Sequence, residues 1–302
     1  MNRPEPPTVD QPYFAWRAQP AWPKLAWPGG AQLALCIVVS IEHYEIHPPE
    51  GAVFPRSLPG GFGRGPYPDF RTFSYREYGN RVGVFRVIDA LAKYNIRATA
   101  AIDSRTAQSK PVIVEQCLKH GWEIAAHGQA VTRVVSSAMT EQDERDYVSE
   151  AIRGVESACG RRPTGWHGPE YGESIHTPAV LAQLGIDYVL DWPNDELPFC
   201  MSTPTGRLIS LPMLVDFDDV FAHWHRKLSM SRWGRTITDA LDRLLKDGAE
   251  SPRMLILNLH PWLIGQPWRI SYLEDVLRDI RGRSGIWHAT AAEVAAHAGV
   301  SI

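Results

Sequence analysis

Short apolar runs alternate along this chain with polar loops and amphipathic stretches, and several of the runs stop abruptly in ionisable residues. The clearest covers residues 35–41, is rich in β-branched side chains, and breaks off at Glu42, His43 and Glu45. Such a run predicts a strand buried on both faces, as in a parallel sheet covered by helices. Active sites in parallel α/β folds gather beyond the carboxyl ends of the strands, so these three residues are expected at the mouth of a pocket. Residues 121–128 repeat the logic as a short strand delivering His127. Residues 165–170 form a strand-to-loop junction with Trp166 and His167, and residues 254–261 end a late strand in His260. Further strands are expected at 98–102, 188–190 and 208–215.

Helical spacing fills the intervals. Val84, Val87, Ile88, Leu91 and Ala92 predict a helix over 82–94, with 74–81 as its lead-in. Pro111 suits a first helical turn, where its missing N–H would have been unpaired anyway. Thr140, with Asp143 three residues later, caps a helix running to about Cys159. Other amphipathic segments lie at 178–184, 236–246 and 270–281, and a last helix follows residues 286–288. The repeated order of strand, polar loop and helix predicts an α/β fold, either a doubly wound sheet or a distorted (β/α) barrel.

Composition narrows what that fold can serve. A chain of 302 residues with 44% hydrophobic content can bury one large core. We therefore expect a single domain over 31–302, preceded by a Pro- and Trp-rich arm at 1–30. A net charge of −3 and a pI near 6.4 argue against nucleic acid or an anionic membrane as a partner. No apolar segment approaches the roughly 20 residues needed to cross a bilayer, and the amino terminus has no hydrophobic signal core, so a cytoplasmic protein is expected. The four cysteines are widely spaced, without a CxxC pair, and read as reduced thiols. Eleven Trp, several beside polar motifs, point to an aromatic-lined pocket. The Pro/Gly-rich loop at 46–73 starts at the first strand's polar end and reads as a lid. His223 and His225, two residues apart, would share a face only on a strand, and read as pocket or surface residues rather than ligands. The arm and exposed Trp favour a homodimer or homotetramer, because arms often exchange between protomers.

The ordered set of Glu42, Ala126-His127-Gly128, Trp166-His167-Gly168-Pro169, Asn194-Asp195-Glu196-Leu197-Pro198-Phe199 and Leu259-His260-Pro261 resembles the polysaccharide deacetylase (NodB-homology) superfamily. Residues 77–86 (Glu77, Tyr78 and Arg81 among them) and 260–269 are most similar to its branch of metal-independent allantoinases and cyclic-imide hydrolases. The resemblance spans about residues 25–298. It implies a distorted (β/α) barrel of the NodB-homology type and hydrolysis of a C–N bond in an amide, acetamide or cyclic ureide. Deacetylase members carry paired acids after the first strand, a base and then a metal ligand; here the pair reads Glu42-His43. They place a second metal-binding histidine four residues after the first, where this chain has Val131. Their third motif brings an arginine before a proline, where this chain has Trp166-His167-Gly168-Pro169. With the Asp-His-His set broken, no cofactor is expected. A divalent metal such as zinc would have to use Glu42 or His43, together with His127, with a third donor from Glu45, His167, Glu170 or His225.

Amide hydrolysis needs a base to activate water, a group to stabilise the oxyanion and an acid for the leaving nitrogen. Glu42, with its pKa raised by partial burial, is expected as the base and His260 as the acid. His127 is expected to orient water or the carbonyl. Glu45, Glu77, Tyr78, Arg81, His167 and Asp195 are expected to hold polar parts of the substrate, with Trp166, Trp192 and Trp262 as apolar walls. The substrate class that follows is a small cyclic amide, imide or ureide. Two alternatives stand beside it: metal-dependent removal of an N-acyl group from a sugar or small amine, and a non-catalytic ligand-binding homologue.

Overall fold

All nine side chains of β1 (Leu33–Ile41) are buried. In the computed structural model, which describes residues 10–22, 25–50 and 68–301, the other elements are laid against its two edges and two faces. Helices α1 (Phe70–Tyr78) and α2 (Val84–Lys93) follow, joined by a π-helical turn at Gly79–Gly83. Next come β2 (Thr99–Ile102), α3 (Ser104–Ser109), α4 (Pro111–Lys119), β3 (Glu123–Ala126), α5 (Glu141–Cys159) and β4 (Gly165–Trp166). After α6 (Thr177–Gln183) and β5 (Tyr188–Val189), a hairpin is made by β6 (Phe199–Thr203) and β7 (Gly206–Ser210). The chain ends with α7 (Met230–Gly248), β8 (Arg253–Leu259), α8 (Pro261–Ile264), α9 (Ile270–Gly282), β9 (Ile286–His288) and α10 (Ala291–Ser301).

The strands form one sheet in the order β6-β7-β5-β4-β3-β2-β1-β8, parallel except for the hairpin. β1 gives one edge to β8 over Leu33–Val39 and divides the other between β9 at Leu33–Leu35 and β2 at Val38–Ile41. The sheet curls into a half-barrel. Alternation along β1 sends Leu35, Ile37, Val39 and Ile41 to an outer core shared with Val87, Val148, Trp233 and Leu277 of the surrounding helices. Ala34, Cys36 and Val38 go to an inner core with Ala101, Ala125, Ile256, the arm residue Trp27, and Val294 of α10.

Several expectations change. Residues 74–81 are helical, because Asp69 caps α1 by accepting from Thr72 N at 2.9 Å and the glycines continue the helix as a π turn. The strand expected at 208–215 is shorter, and its hairpin partner β6 was not anticipated. The helix at 236–246 starts earlier, at Met230, where Ser229 supplies the cap. Of the loop expected as a lid, residues 51–67 lie outside the described ones, and Phe70 onward belongs to α1. The described arm packs on its own chain: Tyr13 O accepts from Ser202 N at 2.7 Å, and Trp27 Nε1 donates to Arg253 O at 2.7 Å. Among the described residues, no helix is long and apolar enough to cross a membrane.

Candidate active site

Sheet register assembles the site. Ile41 pairs with Ile102, Ile102 with Ala126, and Ala126 with Trp166. The residues that follow, Glu42, Asp103, His127 and His167, therefore leave the sheet at one level. The ladder continues into them, with Asp103 N donating to Ile41 O at 3.3 Å, His127 N to Ile102 O at 3.0 Å and His167 N to Ala126 O at 2.9 Å. Because side chains alternate, the row holding Ile41 and Trp166 faces the outer core and the next row faces the inner side. His260 arrives from β8, whose Leu259 pairs with Val39. The ends of β1, β2, β3, β4 and β8 thus meet over the inner core.

Glu42 is the hub. Arg76 Nη1, from α1, donates to its Oε2 at 2.7 Å, while His127 Nε2 and His260 Nε2 lie 3.4 Å and 3.7 Å from its Oε1. Asn80 Nδ2 donates to the Glu42 carbonyl at 2.8 Å. The Arg76 guanidinium lies over the Trp262 ring, 4.7 Å from its centroid. Each histidine is aimed by its other nitrogen: His127 Nδ1 donates to His167 O at 2.7 Å, His167 Nδ1 to Asp191 at 2.8 Å, and His260 Nδ1 to Asp219 at 2.7 Å. Asp218 accepts from Tyr171 Oη and Asn258 Nδ2, each at 2.9 Å. A cavity of about 290 Å³ opens here, at the small end for ligand sites. It is lined by Glu42, Arg76, His167, Glu170, His260 and Trp262, with Pro193, Val215, Val220 and Phe221 among its apolar contacts.

Burial by itself would raise the Glu42 carboxyl, but Arg76, the hydrogen bond from His127 and the charge of His260 outweigh it and hold Glu42 below the usual range. Glu42 is therefore firmly ionised, against the expectation of a raised pKa. Burial disfavours charge on His260 as well, yet Asp218 and Asp219 push it up to about 10. The same contest, won by Glu42, raises His127, whereas burial keeps His167 low. The glutamate that burial does raise is Glu170, to about 7. Its backbone and that of Tyr171 are left-handed, at φ 55° and 58°, a conformation costing an L residue about 1–2 kcal/mol.

The cavity brings together Glu42, His260, His167 and Trp262 of the expected residues, with His127 directly behind Glu42. The others are placed elsewhere. Trp166 is fully buried in the outer core. Glu45 is held by Thr132 at 2.6 Å and by Arg133 at 2.9 Å. Glu77 accepts from Asn80 at 3.3 Å and pairs with Lys110 at 3.6 Å. Tyr78 Oη accepts from Arg86, and Arg81 is exposed on the π turn. Trp192 packs edge-on against Phe14 at 5.7 Å. Asp195 caps its own turn by accepting from Glu196 N at 2.7 Å. His223 and His225 sit on a second π-helical turn, where only His225 reaches the cavity. Arg76, Asp191, Asp218, Asp219 and Tyr171 were not anticipated. The adjacent acids Asp218 and Asp219, set among Val215, Phe217 and Val220, were the readable signal.

The residues do not fit a catalytic metal site. Val131 is fully buried and offers no ligand atom, and the Arg76 guanidinium already supplies a cation to Glu42. Among the described residues, the one group of three ligand-type side chains with close donor atoms is Asp218, Asp219 and His260, which excludes His43 and His127. Asp219 already receives His260 N and Nδ1, and Asp218 receives Tyr171, Asn258 and Phe221 N. A zinc ligand set with an open position would have to break these bonds.

Residues 75–189 match the family model described as polysaccharide deacetylase. PuuE allantoinase superposes with a TM-score of 0.82 at 26% identity, over 92% of this chain and 94% of that one. A Pseudomonas aeruginosa PAO1 protein described as a probable polysaccharide deacetylase gives 0.79 at 26% identity, over 91% and 93%. A Schizosaccharomyces pombe relative, with a provisional polysaccharide deacetylase description, is 22% identical over 300 residues, 89% of this chain and 91% of its own. The half-barrel, the strand-end carboxylate with its histidines and these matches lead to one assignment: residues 75–189 carry a polysaccharide deacetylase (NodB-homology) domain, whose family members are hydrolases of carbon–nitrogen bonds other than peptide bonds.

Proposed function

We propose that this hydrolase opens a small cyclic amide, imide or ureide in the cavity above Glu42, without a metal. The observation that carries the reading is the Arg76–Glu42 pair: an organic cation stands 2.7 Å from the strand-end carboxylate. The size of the cavity and the likeness to PuuE allantoinase support it. In this mechanism Glu42 Oε1 accepts a hydrogen bond from water and aims its oxygen at the ring carbonyl. With its basicity held down by Arg76, Glu42 takes the proton only as the new C–O bond forms. Protonated His260, oriented by Asp219, stabilises the developing oxyanion and supplies a proton as the C–N bond breaks. The products are a carboxylate and the freed nitrogen at the two ends of the opened ring. His127 keeps Glu42 in place.

The test is elemental analysis of the purified protein together with turnover of cyclic imides, hydantoins, allantoin, N-acetyl sugars and simple acetamides, before and after chelation. Ring opening that survives chelation is expected. Activity confined to acetamides, lost on chelation and restored by zinc, would replace this reading with metal-dependent deacylation.

A further inference from the structure

Glu170 is a cavity carboxyl that, among the described residues, accepts no hydrogen bond from the protein, and its ion contact to Arg76 Nη2 is a long 3.9 Å. Glu42 and Asp218, by contrast, are committed to donors. The loop that carries Glu170 is firmly built. Gly168 N donates to both Asp191 oxygens, at 2.8 Å and 3.0 Å, Tyr171 is tied to Asp218, and two consecutive non-glycine residues are held left-handed between these anchors. Strained backbone of this sort clusters where a side chain has to be aimed at a ligand. The charged groups facing Glu170 are Arg76 from α1, Glu42 after β1, His260 after β8 and Asp218 ahead of α7. Burial, opposed by Arg76 and His260 and reinforced by Glu42 and Asp218, pushes its carboxyl up to about 7.

A neutral carboxyl presents an O–H donor beside a C=O acceptor. An amide closed into a ring is cis, so its N–H and C=O point the same way and match that pair through two parallel hydrogen bonds. The trans amide of an N-acetyl sugar or acetamide turns the two groups in opposite directions and meets only one. We propose that Glu170 is the specificity residue of this site, selecting ring amides, imides and ureides by pairing as a neutral carboxyl with their N–H/C=O edge. The inference rests on the ring-opening reading and names the group that would distinguish ring from open-chain substrates.

Unreactive probes separate the two. Binding of 2-pyrrolidinone, N-methyl-2-pyrrolidinone and N-methylacetamide would be followed by NMR titration of the native protein, Glu170→Gln and Glu170→Ala, below and above pH 7, with melting curves to confirm folding. At acid pH the native protein is expected to bind the first probe about tenfold more tightly than the other two, the size of one or two lost buried hydrogen bonds. That preference should fade at alkaline pH. Glutamine carries a donor beside an acceptor and does not titrate, so Glu170→Gln should keep the preference at both pH values. Glu170→Ala should lose it at both. No lactam binding by the native protein, a preference that survives in Glu170→Ala, or a Gln variant that follows the native pH dependence would each overturn the inference. Glutamine-rescued lactam binding in a protein that opens no ring would instead overturn the proposed reaction while leaving the selector in place.

Discussion

Arg76 and Glu42 are each buried, with side chains 2% and 5% exposed, so neither charge is tolerable without the other. Replacing one member of such a pair strands the other in low dielectric, which typically costs about 3–5 kcal/mol. Arg76→Ala should therefore lower the free energy of unfolding by about that amount in a urea titration; a loss below about 1 kcal/mol would mean that water reaches Glu42 and relieves it. Glu42→Gln keeps the shape and removes the charge, and should lower kcat on the ring substrate by about a hundredfold or more. Activity within a few-fold of native would remove Glu42 from the chemistry. At this scale the sequence revealed the groups on β1, β3 and β8 ends because an apolar run broken by an ionisable residue is a local signal. It hid Arg76, whose burial depends on a carboxylate 34 positions away. It also misplaced Trp166, since which of two neighbouring strand residues faces the pocket is decided by the register across β3 and β4, which a single strand does not contain.

The helix that carries Arg76 depends on two glycines. In the fold they permit contact: a Cβ on Gly79 would sit 2.6 Å from Trp262 N, and one on Gly83 would sit 2.1 Å from the Pro261 carbonyl oxygen. The π turn thereby presses against α8, directly after His260, and fixes the height of Arg76 and Asn80 over Glu42. Gly83→Ala should cost about 1–3 kcal/mol, the usual penalty for overpacking, and should reduce kcat more than it raises KM, because it displaces Arg76 and His260 together. A variant with native melting temperature and native kcat would show that the two elements separate without consequence. Apolar runs and helical spacing were enough to locate β1, α2, α4, α5 and α9 and an α/β fold, while the choice of a barrel over a doubly wound sheet came from the family resemblance. The β6–β7 hairpin and α3 were not readable, because short polar strands and a six-residue helix carry too few apolar positions to show a period.

Across the whole molecule, the charges above the inner core give stability a direction in pH. Glu42 is held low, so its contribution is complete above the unfolded carboxylate value and disappears only as pH falls through acid. Glu170 and Asp103 are raised by burial to about 7, so what they contribute is complete below their unfolded values and is lost as pH climbs to about 7. His260 carries the trend further: its contribution is complete below about 6.5 and is lost as pH rises through about 10. All three losses lie on the alkaline side of mild acid, and the one acid-side loss lies below it. The melting temperature should therefore be highest at about pH 4.5, around the unfolded carboxylate values, and should fall steadily toward pH 10, by at least several degrees. His260→Gln, which removes the group that titrates last, should be less stable than the native protein near pH 6 and should flatten the curve above pH 7. A native curve that is level or rising between pH 6 and 10 would mean that the imidazolium above Glu42 is not held by Asp218 and Asp219 in solution, and the acid assigned to His260 would then need another source.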